Sequence, residues 1–172
     1  ELVKDKRVEG IADIRDEKND HNNYQSYGFN KDWLSHLEGT ESSFRAVHMG
    51  EHESPDGGTP ITWRNGQTLS NGTLDFKAYL SPTDYSVAYA QFRVYADTER
   101  SVVMGLSSDD SIKAWVNGSL VLSQYLPRPI FPNGEHMLVP VTLQPGENQF
   151  NFKVTNSWGH WALRIRLLEG DT

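Results

Sequence analysis

The chain of 172 residues carries 16 Lys and Arg against 23 Asp and Glu, a formal net charge of −7, and contains no cysteine. Cations scattered singly over so acidic a chain exclude a nucleic-acid partner, which needs clustered Lys and Arg. The lack of thiols excludes disulfides, thiolate-bound zinc and a cysteine nucleophile. With a mean hydropathy of −0.60 and no apolar run near the ~20 residues of a membrane helix, the chain is expected to form one large β domain over 1–172, with no membrane span.

The opening Glu1 to Arg7 lacks the apolar core of a secretory leader, which is read here as a leader already removed. Val8 to Ile14 is a first apolar stretch, followed by a polar run, Asp16 to Asn23, expected to be a loop. Asn30 to Leu37 is the one candidate helix, with Trp33, Leu34 and Leu37 on one side. Glu51 to Pro60 is dense in turn formers and precedes a strand, Ile61 to Arg64.

From Leu74 onward the period-two alternation is clean. Leu74, Phe76, Ala78 and Leu80 share one face, and Ala88, Ala90, Phe92 and Val94 another. Phe150, Phe152 and Val154 lie opposite Asn151, Lys153 and Thr155; Trp161, Leu163, Ile165 and Leu167 lie opposite Arg164 and Arg166. Ile112, Ala114 and Val116 alternate with Lys113, Trp115 and Asn117, and Asn117-Gly118 predicts a two-residue hairpin. Gln144 to Asn148 is expected to be a hairpin corner joining Leu138–Leu143 to Gln149–Thr155. Strands with one apolar face each, and almost no helix, predict an all-β, two-sheet antiparallel jelly-roll sandwich.

The segment Gly105, Ser108, Asp109, Asp110, Trp115, Asn117, Gly118, followed by Leu143 to Asn148 and a Trp-rich last strand, resembles the galactose-binding-like β-sandwich modules of secreted bacterial polysaccharide-degrading enzymes. Ile61-Thr62-Trp63, Gly72 to Phe76 and Val87 to Ala90 fit the same pattern, so the likeness runs from about residue 60 to 168. Ser107 to Asp110 carries a weaker resemblance to PA14 adhesin-type sandwiches, which implies an adjacent acidic pair on calcium beside a sugar site. The chain departs from these patterns at Ser111, where a glycine is usual, and in an aromatic, proline-rich insert from Tyr125 to His136.

The candidate site residues follow from chemistry. A pyranose ring stacks its apolar face on an indole or phenol while its hydroxyls meet polar side chains. Trp158, in the Gly-flanked turn Asn156 to His160, is the first stacking candidate, with His160 beside it. Tyr125, Arg128 and Asn133 belong to the insert that three prolines stiffen. Trp115 and Trp161 lie in regular strands and are expected to be packing residues. Asp109 and Asp110 are the candidate calcium ligands; the alternative is that Asp109 closes the turn by accepting backbone N–H groups. Adjacent acids in a turn do not face one another across a glycosidic bond, so no catalytic pair is read here. His48 and His52 stand four apart, but Gly50 between them breaks the helix that would align them for zinc.

The expected function is therefore a non-catalytic carbohydrate-binding module, secreted or at the surface of a bacterium, that holds a linked glycan-degrading catalytic domain at its polysaccharide or oligosaccharide. The alternatives are a structural spacer packed on that domain and a calcium-dependent adhesin.

Overall fold

The computed structural model describes residues 5–13, 28–34, 41–43, 51–52, 61–80, 84–130, 135 and 137–169. Among these, eleven strands form two antiparallel sheets, and the predicted all-β sandwich is what the chain builds. The strands are β1 (Asp5–Asp13), β2 (Glu51–His52), β3 (Ile61–Asn65), β4 (Thr73–Asp75), β5 (Ser86–Ala96), β6 (Arg100–Asp109), β7 (Ile112–Val116), β8 (Ser119–Gln124), β9 (Met137–Leu143), β10 (Gly146–Asn156) and β11 (Ala162–Glu169). The larger sheet has the order β2-β3-β1-β5-β10-β7-β8 and the smaller β4-β11-β6-β9.

The alternation explains the core. Ala88, Ala90, Phe92 and Val94 of β5, the alternate residues Ile112, Ala114 and Val116 of β7, and Phe150, Phe152 and Val154 of β10 point at the smaller sheet, which returns Met104, Leu106, Leu143 and Leu163. Phe92 stacks on Phe150 at 4.6 Å between ring centroids and on Phe152 at 5.6 Å. Trp161, fully buried, packs on Phe76 at 5.1 Å. The packing roles read for Trp115 and Trp161 hold, with 5% and 0% exposure. Pro140 lies in β9, an edge strand of the smaller sheet, where a missing N–H does least harm.

Three local expectations need correction. β4 ends at Asp75, whose carboxylate accepts from the Lys77 N–H and caps a 3-10 turn over Phe76–Ala78; Leu74, Phe76 and Leu80 are buried but Ala78 is exposed. The Gln144–Asn148 corner is a crossing between sheets rather than a hairpin, since β9 pairs with β6 while β10 pairs with β5 and β7. Asn148 fastens it: its amide donates to the Gln144 carbonyl at 2.8 Å and its side-chain oxygen accepts from the Gln144 N–H at 2.8 Å. The genuine hairpin is at Asn117-Gly118, with φ of +49° and +83° joining β7 to β8, the positive pair that a two-residue turn demands.

The third correction concerns the outer face of the larger sheet. Asn151, Lys153 and Thr155 were expected on a solvated face, yet all are buried. Residues 28–34 and 41–43 cover that face, and Trp33 and Leu34 are buried there outside the core between the sheets. Lys153 donates to the Lys31 carbonyl at 2.5 Å and to Glu41 at 2.8 Å, and the Tyr89 hydroxyl donates to Glu41 at 2.9 Å. Burial holds the Lys153 amine down to about 8 and pushes the Tyr89 hydroxyl upward; Glu41 opposes the first shift and adds to the second. Of the candidate helix Asn30 to Leu37, a helical turn covers 28–30 and residues 35–37 lie outside the described residues, as do the Asp16–Asn23 run, His48 and all of 53–60.

Candidate functional site

β6, β8 and β10 end, and β5, β7 and β11 begin, at one end of the sandwich. Two chain crossings between the sheets meet there: β6 to β7 through Asp110 and Ser111, and β10 to β11 through 157–161. Backbone pairing locks them together, with the Asp110 N–H donating to the Thr155 carbonyl and the Thr155 N–H to the Ser111 carbonyl. Residues 125–130 run past without regular structure, and the Ser111 hydroxyl accepts the Leu126 N–H at 2.9 Å. Serine at 111, where a glycine is usual in the resembling modules, thus anchors the insert.

Between these segments lies a pocket of about 680 Å³, lined by Tyr85, Asp109, Asp110, Tyr125, Pro127, Arg128, Pro129 and Ser157 to His160. Six sequence candidates, Trp158, His160, Tyr125, Arg128, Asp109 and Asp110, therefore converge on one cavity. Asn133 lies outside the described residues.

Trp158 is 69% exposed and Tyr125 46%. Gly159, at φ +89°, turns the chain directly after the indole. Tyr85 meets Trp158 edge-to-face at 6.5 Å, and Tyr125 packs on Phe29 at 5.4 Å, so each ring has an aromatic neighbour. Sequence reasoning missed Tyr85. Its signal was the turn-rich stretch Ser81-Pro82-Thr83-Asp84 immediately before the β5 alternation, which marks a loop residue beside a strand end.

The two aspartates have different roles. Asp110 is the loop clamp: one carboxylate oxygen accepts the Arg128 N–H at 3.1 Å, the other the Ser157 N–H and hydroxyl, each at 2.9 Å. Asp109 is only 7% exposed, and burial together with the neighbouring Asp110 charge raises its carboxyl to about 6, against the backbone N–H of Ile130 and the field of His160. The Asp109–Asp110 peptide is cis. Arg128 donates to Gln124 at 2.9 Å, to the Ser108 hydroxyl at 3.0 Å and toward the Met137 sulfur at 3.4 Å, and burial lowers its guanidinium. Its Nε is buried without a partner among the described residues.

The donor set fits calcium poorly. Calcium takes six to eight oxygens, whereas the Asp110 oxygens already accept three protein donors, and the described residues contain no group of three acidic, His or Cys ligands. The volume of the pocket falls within the roughly 300–1,000 Å³ of small-molecule pockets, with aromatic walls and a few fixed polar groups.

No protein-family model and no curated protein matches the sequence. The fold is similar to part of a β-glucosidase from Kluyveromyces marxianus, solved in complex with glucose, with a TM-score of 0.55 and 10% identity over 96% of this chain. This sandwich fold occurs within a glycoside hydrolase. A selenomethionine structure of that β-glucosidase matches with the same TM-score and 8% identity. A GH31 α-xylosidase from Xanthomonas citri matches over 63% of this chain at a TM-score of 0.42. The chain spans 17% of the β-glucosidase's length and 12% of the α-xylosidase's. At these identities the likeness is one of fold.

Proposed function

We propose that the chain is a non-catalytic carbohydrate-binding domain, a module of a larger secreted or cell-surface glycan-degrading protein, and that the end pocket takes one or a few sugar residues. The observation that carries the reading is the exposed Trp158 indole, in edge contact with Tyr85, in the wall of a pocket that Asp109, Asp110 and Arg128 also line. A rigid aromatic plane beside fixed acceptors suits a sugar ring, which is apolar on its face and polar at its edge. Occurrence of the fold within a glycoside hydrolase supports the same reading, as tethering raises the effective concentration of substrate at a linked catalytic site.

Affinity electrophoresis through gels containing soluble polysaccharides tests this. Migration of the wild type is expected to be retarded, retardation to be lost in Trp158→Ala, and kept in Trp115→Phe, whose ring lies elsewhere in the sheet. Unretarded migration on every glycan would overturn the proposal and leave a spacer sandwich.

A further inference from the structure

Tyr125 stands where the pocket meets the covered outer face of the larger sheet. It follows β8 directly and lines the pocket with its side chain exposed, while its ring meets that of Phe29 at 5.4 Å with the planes inclined by 50°. Phe29 is buried and belongs to the covering residues 28–34; it is not among the described residues that line the pocket. The Lys113 ammonium lies 4.7 Å from the Phe29 ring centroid, within the range of a cation–π contact, and 3.7 Å from the Glu41 carboxylate. Glu41 in turn takes Lys153 and the Tyr89 hydroxyl. Asp32 joins the two stretches of the cover, one carboxylate oxygen accepting the Leu34 N–H at 2.9 Å and the other the Glu41 N–H at 3.2 Å. Lys113 and Lys153 face each other across the paired strands β7 and β10, so the cover is fastened to the middle of the sheet. A ring with so fixed a neighbour has less freedom to lose when a ligand packs on it, and that saving appears as affinity.

We propose that Phe29 is a positioning residue of the pocket: it fixes the Tyr125 ring against which a sugar packs, so that the cover of the larger sheet completes the site. This rests on the sugar-binding reading above. Residues 28–34 lie outside the stretch of about 60 to 168 that resembles known modules, and the pocket wall therefore depends on a segment that the resemblance does not include. Phe29 acts only through Tyr125, so its contribution vanishes when the Tyr125 ring is absent.

The test is a double-mutant cycle on the full chain, read as affinity from electrophoresis at graded concentrations of hydroxyethylcellulose, xyloglucan, galactomannan and a soluble β-1,3-glucan. Phe29→Ala should weaken binding to whichever of these retards the wild type by about three- to tenfold, the range that an aromatic pair spans. Tyr125→Ala should weaken it at least as much, and the double variant should match Tyr125→Ala within about twofold. Phe29→Tyr, which keeps the ring, should bind as the wild type does. Phe29→Leu, the milder truncation, enters the same cycle should Phe29→Ala fail to fold. Equal losses from the Phe29 change with and without Tyr125 would mean that the residue acts on the fold at large and would overturn the inference. Unchanged affinity in Phe29→Ala or in Tyr125→Ala also overturns it and leaves sugar binding standing, whereas a wild type retarded by none of the four overturns both.

Discussion

Replacing Asp109 by asparagine should stabilise the protein at pH 8 and leave it unchanged below about pH 3. In the folded chain, burial and the adjacent Asp110 raise this carboxyl from its ordinary 3.8 to about 6. The native state therefore holds the proton more tightly than the unfolded chain, and the ionised group costs stability that accumulates as pH climbs from about 4 to above 6. Moving a carboxyl that far corresponds to ~3 kcal/mol. The pocket opens to water, so screening reduces the expected cost to about 1–2 kcal/mol. Asparagine can still accept the Ile130 N–H through its amide oxygen but carries no charge, so it escapes the cost. For a chain of this size the gain is a rise in Tm of roughly 2–8 °C at pH 8, fading to nothing as the pH falls below about 3, where the carboxyl is protonated in both states. Paired calorimetric scans of wild type and variant across this range read the difference directly. A variant that is less stable at pH 8, or a difference independent of pH, would refute the electrostatic argument.

Asp110→Ala should have the opposite character, destabilising by about 2–4 kcal/mol because the Ser157 and Arg128 N–H groups lose their acceptor; urea titration gives the value, and a change under 1 kcal/mol would show that the loops hold without the clamp. Trp158→Ala should leave Tm within about 1 °C, since surface truncations away from special features cost little, while its retardation in the polysaccharide gels is lost. Glu41→Gln strips the counter-charge from the buried Lys153 and should cost about 3–5 kcal/mol, with accelerated amide exchange at Trp33 and Leu34 as the covering segment loosens; unchanged exchange there would mean that apolar burial alone holds it. Gly72→Ala should destabilise by about 2–3 kcal/mol, because φ is +82° and an added Cβ would lie 2.5 Å from the Ile165 carbonyl; a fully stable variant would show that the β4 entry can shift.

The fold was legible in the second half of the chain because strands with one buried face write their period directly into the sequence. Phe150, Phe152 and Val154 could be assigned to the core without coordinates, and so could the Asn117-Gly118 turn. The first half was harder. β1 is an inner strand of the larger sheet, between β3 and β5, yet its apolar residues make only a short, irregular stretch, and its pairing with β5 shifts register between Glu9 and Ile11. The site was legible as residues rather than as a place. Trp158 beside Gly159 and the proline-rich insert were visible as loop features, whereas Tyr85 sat unremarked before a strand.

Local pattern, then, determined by itself that this chain forms half-buried strands, which side chains they hide, and that a tryptophan stands in a turn. Tertiary structure decided what no local pattern encodes: that the Gln144–Asn148 corner crosses between sheets, that residues 28–34 and 41–43 bury Lys153 on a face its alternation marks as polar, and that Asp110, not Asp109, fastens the loops. The reason is physical. Alternation reports only that one face of a strand avoids water, while the partner of the other face, and the loops that meet at a sandwich end, are fixed by contacts between residues far apart in the chain, such as Ser157 with Asp110 and Glu41 with Lys153.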